Sequence, residues 1–363
     1  MAFAPLSSCG YGGLNGLVQQ SEVSQVNVRG FVAAVMVAVA GMAGLAQSAG
    51  AVPSPKAANG NKVRVFATGV ALPVQMAFKG NTAFIAGGAE ENIKGGLYYV
   101  RPGSKKAKRV PGTPPVSFGV AWHHGHLYAN FGNVIRIFSG WTGSKFRQSR
   151  ILVRFNQKRF TNFTGLAFGP NGRLYTGVGL QFDSKASKLP YANSVISIDR
   201  HRGSIRTVST GMRQPWQLTF VKGLKSPFVS NLSQETPTGT KARDYIAHAT
   251  PGANFGFPKC DWSNVSTCVA QGFKKPAIVF KHEEKPTPSP MGITAKGKRL
   301  FVALFNGRET PEGPQPEVIS TTVDGSKMST AVSGFLAPVL LANYHGGYLY
   351  MGDFTGTVWR VKA

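Results

Sequence analysis

One pattern recurs six times along this chain, and it limits the possible folds more than any other feature. Each copy has a short apolar strand, a turn, a second strand, a polar loop and a third strand. The copies begin PVQMAFKGNTAFIAG at Pro73, PVSFGVAWHHGHLYAN at Pro115, FTGLAFGPNGRLYTG at Phe163, PWQLTFVKGLKSPFVSN at Pro215, PMGITAKGKRLFVAL at Pro290 and PVLLANYHGGYLYMG at Pro338. Third strands follow as GLYYV, NVIRIF, NSVISID, RDYIAHA, PEVIST and GTVWRV. Residues 52–363 shared among six copies give about 52 residues each, the size of one four-stranded blade. Apolar residues alternate within the strands, as sheets packed face to face require. The expectation is an all-β, six-bladed β-propeller over residues 63–363, preceded by a flexible segment at 52–62. The step from Phe228 to Leu300 is longer than the others, so residues 252–272 are expected as an insertion between blades four and five.

Residues 1–51 read as a cleaved signal peptide rather than as fold. After Arg29 comes an apolar run whose core, residues 31–46, is short for a membrane span of about 20 residues and ends in the small residues Ala49-Gly50-Ala51. Cleavage there leaves Val52 as the first residue and predicts an exported protein: secreted, periplasmic or at the cell surface. It also removes Cys9. Cys260 and Cys268 remain, and in an exported chain this spacing predicts a disulfide closing a short loop. Zinc is the rival, but no Cys or His stands at zinc-ligand spacing from them.

The chain carries 41 Lys and Arg against 15 Asp and Glu, a formal charge of +26. That balance favours anionic neighbours such as a cell-wall polymer or a membrane surface. The basic residues are spread along the sequence, with one modest cluster at Lys105, Lys106, Lys108 and Arg109. A nucleic-acid reader concentrates its charge on one motif, so no nucleic-acid partner is expected.

In a propeller the first strand of each blade lines the central channel. The starts of the first strands and the loops after the second strands face one end, the mouth. This sorts the polar residues. His123, His124, His126, His201 and His345 fall in turns at the far end, and His248 closes a third strand. Only His282, in FKHEEKPTPSPMGI, leads into a first strand at the mouth, where an imidazole suits proton abstraction. Arg213, Gln214 and Asn162 also reach the mouth, and Gln75, Ser117 and Gln217 lie along first strands. Arg308 and Asp353 follow second strands. Arginine forks and the aromatic Trp216 suit a flat anionic ligand.

At these residues the chain resembles the glucose/sorbosone dehydrogenase family. TGMRQPWQLTF is similar to its Gly-Leu-Arg-Asn-Pro segment before a blade. RDYIAHATPGANFGFPKC resembles its Asp-Glu-Ile-Asn … Gly-Asn-Tyr-Gly-Trp-Pro run. GLAFGPNGRLYTGVG resembles its Phe-Gly-Pro-Asp-Gly blade turn, and PAIVFKH … PMGI … LFVALFNGR its late blades. The resemblance implies an exported six-bladed propeller using pyrroloquinoline quinone and Ca²⁺ to oxidise a small carbohydrate. It implies that Arg213, Gln214, Gln217 and Arg308 contact the cofactor and that Asp244 stands at the metal. The family's catalytic histidine position falls at Thr161/Asn162, and neither side chain takes a proton at neutral pH. His282 is the candidate base in its place. Gly179-Leu180 stands where the family has Gly-Asp. The leading expectation is therefore a quinoprotein-like dehydrogenase acting on a sugar or related alcohol or aldehyde. The alternative is a non-catalytic propeller that binds an anionic glycan or cell-wall polymer. A metal-dependent lactonase-like hydrolase ranks last, since only Glu90, Glu91, Asp244 and Asp353 offer carboxylates near the channel.

Overall fold

In a computed structural model, which describes residues 53–90, 92–234, 242–281, 287–311 and 313–363, the six repeats form six antiparallel sheets. Two strands, β1 (Lys56–Ala57) and β2 (Arg64–Ala67), precede the first blade and are taken up by later ones. Blade one is β3 (Pro73–Lys79), β4 (Thr82–Gly87), β5 (Gly96–Val100) and β6 (Lys108–Arg109). Blade two is β7 (Val120–His123), β8 (His126–Asn130), β9 (Val134–Trp141) and β10 (Phe146–Arg154). Blade three is β11 (Phe163–Phe168), β12 (Leu174–Val178), β13 (Ser194–Ile198) and β14 (Ile205–Ser209). Blade four is β15 (Gln214–Thr219), β16 (Phe228–Leu232), β17 (Tyr245–His248) and β18 (Ile278–Val279). Blade five is β19 (Pro290–Lys296), β20 (Arg299–Leu304), β21 (Glu317–Thr322) and β22 (Ser329–Ser333), with β1 added outside β22. Blade six is β23 (Val339–His345), β24 (Tyr348–Asp353) and β25 (Val358–Lys362), and its outermost strand is β2.

The expected six-bladed propeller is present, and its ring is closed by the front of the chain. Arg64 pairs with Arg360 and Val65 with Trp359, so the first and last described segments share one sheet. Several inner hairpins turn in two residues. His124 and Gly125 have φ of 45° and 79° between paired His123 and His126, and Gly346 and Gly347 have φ of 57° and 82° between paired His345 and Tyr348. Positive φ at both turn positions matches the twist of the flanking strands, which is why such turns favour glycine.

The blades are held to one another by apolar side chains between their faces. Ile135, Ile137 and Val153 of blade two pack with Phe163, Leu174 and Ile196 of blade three. Val302 and Ile319 of blade five meet Phe228 and Ile246 of blade four. Each such buried aliphatic or aromatic side chain contributes about 1.5–3 kcal/mol.

The insertion differs from expectation in its place. It leaves β17 and returns at β18, so it lies within blade four, between its third and fourth strands. β18 has only two residues, too few for a period-2 pattern to show in the sequence. The insertion folds back on the edge of blade three, where Thr210 donates to the Ala253 carbonyl (2.9 Å) and Phe255 donates to the Thr210 carbonyl (3.0 Å). It then forms a short helix, α1 (Val265–Ala270), whose N-cap Asn264 accepts from the Thr267 N–H, satisfying one of the turn's free donors. Cys260 and Cys268 are bridged, as expected. Trp262 is 1% exposed beside the bridge, and its indole N–H donates to the Phe255 carbonyl at 2.9 Å. Among the described residues no helix is long and apolar enough to cross a membrane.

Candidate functional site

The six inner strands β3, β7, β11, β15, β19 and β23 surround a cavity of about 170 Å³. Its polar lining includes Gln75, Gln217, Thr219, Thr294 and Asn343. Gln75 spans three blades near the mouth. Its amide N–H donates to the Leu166 carbonyl (2.9 Å), and its oxygen accepts from the N–H groups of Val120 (2.8 Å) and Leu166 (2.9 Å). Gln217 reaches from blade four to blade two, donating to the Phe118 carbonyl at 3.0 Å. Its oxygen lies against Gly165, where a Cβ would come within 2.3 Å of it. That oxygen is buried and has no hydrogen-bond partner among the described residues. Asn130 adds a third stitch, accepting from the Phe118 N–H (3.0 Å) and donating to the Thr164 carbonyl.

These amides close the channel below its mouth, and aromatic rings roof them. Phe118 and Trp216 meet at 5.7 Å between centroids, tilted by 60°, and both are half-buried. The Trp216 indole N–H is buried without a partner. Around this floor stand the loops after the second strands. Leu180, following β12, donates to the Gln214 side-chain oxygen (2.9 Å), and Thr161 donates to the Gly179 carbonyl (2.8 Å). Asn306, following β20, donates to the Thr287 carbonyl at 2.8 Å.

Arg213 and Arg308 are each matched by an acid. Arg213, whose side chain is 8% exposed, forms an ion pair with the Asp183 carboxylate. Its Nε also donates to the Asp183 carbonyl (3.1 Å) and its Nη1 to the Leu232 carbonyl (3.4 Å). Arg308 holds Glu317 through Nε (2.7 Å) and Nη2 (3.0 Å) and reaches Thr330 at 2.8 Å. The Glu317 carboxylate also takes the Arg308 backbone N–H and the Thr330 hydroxyl. Neither acid figured in the sequence reading. Their signal was scarcity, because in a chain with so few carboxylates each mouth-side acid has a basic partner to find.

Asp244 is 1% exposed, and its two oxygens accept from the N–H groups of Ser233 (2.8 Å) and Ser289 (2.9 Å). It thereby ties blade four to the strand start of blade five. Burial, with Asp244 next to it in the chain, pushes the neighbouring Tyr245 hydroxyl far above its ordinary range. Asp353 accepts from Thr355 and from the Trp359 indole N–H (2.7 Å). Asn162 is half-buried beside Gly179 and donates to the Phe163 carbonyl at 3.3 Å. His282 lies outside the described residues. His248 stands at the far end of blade four, stacked on Phe228.

Pyrroloquinoline quinone carries three carboxylates, and its protein partner must supply free cations. Two of the mouth cations are already engaged, the guanidinium of Arg213 by Asp183 and that of Arg308 by Glu317, while Lys94, Lys185, Lys188 and Arg243 also stand on loops after second strands. For Ca²⁺, which takes six to eight oxygens, no group of three or more His, Cys, Asp or Glu residues converges among the described residues. What the mouth does present is an aromatic pair, side-chain amides and two matched Arg–carboxylate pairs.

No protein-family model matches the chain, and no curated protein matches it in sequence. Solved structures share its fold. The pyrroloquinoline quinone-bound aldose sugar dehydrogenase of Streptomyces coelicolor is 18% identical, with a TM-score of 0.62 over 85% of this chain and 99% of that one. A member of Carbohydrate-Active Enzymes Family AA12 from Trichoderma reesei is 13% identical, with a TM-score of 0.68 over 88% of this chain and all of that one. A luciferin-regenerating enzyme is 15% identical, with a TM-score of 0.56 over 84% and 96% of the two chains. At such identities the likeness is one of fold, and the spread of activities among these proteins leaves chemistry to be argued from the site.

Proposed function

We propose that this chain is an exported carbohydrate-binding propeller on the sugar-dehydrogenase fold, taking a sugar ring at the channel mouth. The observation that carries this reading is the Phe118–Trp216 pair, which joins the first-strand starts of blades two and four, with the amides of Asn162 and Asn306 on the loops around the mouth. Aromatic faces stack on the C–H face of a pyranose, and neighbouring amides pair with its hydroxyls. The acid-matched arginines favour an uncharged ring there over a tricarboxylate.

A second reading is a quinone-dependent dehydrogenase oxidising a sugar or related alcohol. It is supported by the position of Arg213 and Gln214 at the start of β15 together with the fold likeness. It requires Arg213 to exchange Asp183 for the cofactor, Ca²⁺ to be held by carbonyl oxygens rather than by a carboxylate cluster, and His282 to serve as base. No step is derived through the quinone, because the described residues do not complete its clamp.

Calorimetric titration of the mature protein separates the two readings. A panel of neutral aldoses and short glucans is expected to give saturable binding that Trp216→Ala reduces at least tenfold. Pyrroloquinoline quinone with Ca²⁺ is expected to give none. Saturable quinone binding, with aldose-dependent reduction of an artificial acceptor that is lost in His282→Ala, would overturn the binding reading in favour of the dehydrogenase. Absence of binding to every sugar in the panel would also defeat it.

A further inference from the structure

No aspartate or glutamate lies between Glu91 and Asp183, a stretch that carries fourteen lysines and arginines. In the sequence these cations look scattered. The fold gathers many of them, because the stretch is most of blades one to three, three consecutive sectors of the ring. Within the stretch, the outermost strands carry Lys108 and Arg109 on β6 and Arg147, Arg150 and Arg154 on β10.

β10 is the centre of this belt. It has nine residues, is the free edge of its sheet, and is exposed at Arg147, Gln148, Ser149, Arg150, Ile151 and Arg154. Lys145 precedes it, and exposed Lys158 and Arg159 follow it on the next turn. At the β9–β10 turn, exposed Arg101 of blade one donates to the Gly143 carbonyl at 2.7 Å and extends the row. On the other side Arg150 reaches the Arg200 carbonyl of blade three at 3.5 Å. Among the described residues Arg147, Arg150 and Arg154 have no ion-pair partner.

We infer that the outer edge of blade two is a docking strip for an acidic polysaccharide, separate from the channel mouth. Pairing with β9 puts Arg147 and Arg154 on one face of the sheet and Arg150 on the other, across a bulge between Ile151 and Val153. Cations therefore flank both sides of the free edge over about 20 Å at about 3.3 Å per residue, a row that a linear polyanion can follow. Between them Gln148 and Ser149 offer an amide and a hydroxyl for sugar hydroxyls. The strip has no exposed aromatic ring on which a nucleobase would stack, since Phe146 is half-buried against Trp141. Its only exposed apolar side chain is Ile151, at 39%, too little to enter a bilayer. Charged side chains on an edge strand also block sheet-to-sheet aggregation, but that role needs no continuation of the cations onto Arg101 of the neighbouring blade.

The inference does not rest on the sugar-binding mouth. Binding of the mature protein to polygalacturonate is measured by calorimetry at several salt concentrations. Neutral dextran, duplex DNA and phosphatidylcholine/phosphatidylglycerol vesicles are run alongside. Expected is saturable polygalacturonate binding that weakens with salt, with no dextran binding. The triple variant R147S/R150S/R154S, with an unchanged melting temperature, should bind at least tenfold more weakly and with a shallower salt dependence. The control variant K222S/K225S/K298S, which removes the same charge from blades four and five, should bind like the wild type. Equal weakening in both triple variants would reduce the effect to net charge and overturn the strip. Tighter binding to DNA or to vesicles than to polygalacturonate would overturn the assigned partner. Trp216→Ala should leave polygalacturonate binding intact, whatever it does at the mouth.

Discussion

Gln75 concentrates three inter-strand hydrogen bonds in one side chain, joining blade one to the inner strands of blades two and three. Removing it leaves the N–H groups of Val120 and Leu166 and one carbonyl without their partner. The adjoining cavity has room for water to replace part of the loss. Gln75→Ala is therefore expected to destabilise the fold by about 2 kcal/mol, read as a lower urea midpoint with an unchanged m-value. An unchanged midpoint would mean that water already carries these contacts. The same residue shows what a sequence can and cannot disclose. Its place on a channel-lining strand was legible from the repeat, but its partners were not, since they belong to blades about 45 and 91 residues away. The arginines were legible as mouth residues for the same reason. That Asp183 and Glu317 match them depends on loop geometry that no periodicity encodes.

At the scale of elements, the repeats were readable wherever a strand was long enough to alternate. The two-residue strands β6 and β18 and the added strand β1 were not. The insertion of blade four was visible as extra length, yet its seating against blade three comes from tertiary contacts. Trp262, Phe255 and the Cys260–Cys268 pair pack there with Val195 and Val208 of blade three and Val229 of blade four. Closing so short a loop restricts the unfolded chain by about 2.5 kcal/mol in the chain-entropy account. The double variant C260A/C268A is expected to lose about that much stability. It should also become cleavable by trypsin at Lys259 and Lys274 while the blades stay intact. If neither the unfolding midpoint nor the cleavage pattern moves, the bridge does not hold the insertion in place.

For the whole molecule, the two ends of the propeller carry different chemistry. The mouth holds matched ion pairs, whereas the far end holds imidazoles in apolar settings. His123 is stacked on Phe168 at 3.9 Å and His248 on Phe228 at 4.6 Å, and each has a buried Nε2 with no partner among the described residues. Burial is the main reason both lie below the ordinary imidazole range, with further lowering from His124 and Arg200 at His123 and from Lys274 at His248. The unfolded chain, with ordinary values near 6.5, then binds more protons than the fold as the pH drops. Stability from these two sites is fully present above about pH 6.5 and is lost as the pH falls through their folded values. Asp324, held at about 2 chiefly by the Thr322 hydroxyl and by Ser326, titrates well below that window. Asp199, also lowered, by the N–H groups of Arg202 and His201, titrates below it too. His345, stacked on Phe78 at 4.1 Å, is lowered by burial in the same sense, so the melting temperature is expected to fall between pH 7.5 and pH 5, and H123Q/H248Q/H345Q should flatten that fall while changing the neutral-pH value little. A variant whose profile keeps the wild-type slope would show that the far-end imidazoles do not couple protonation to unfolding, and that the acid sensitivity arises from the long-range repulsion of a chain at +26.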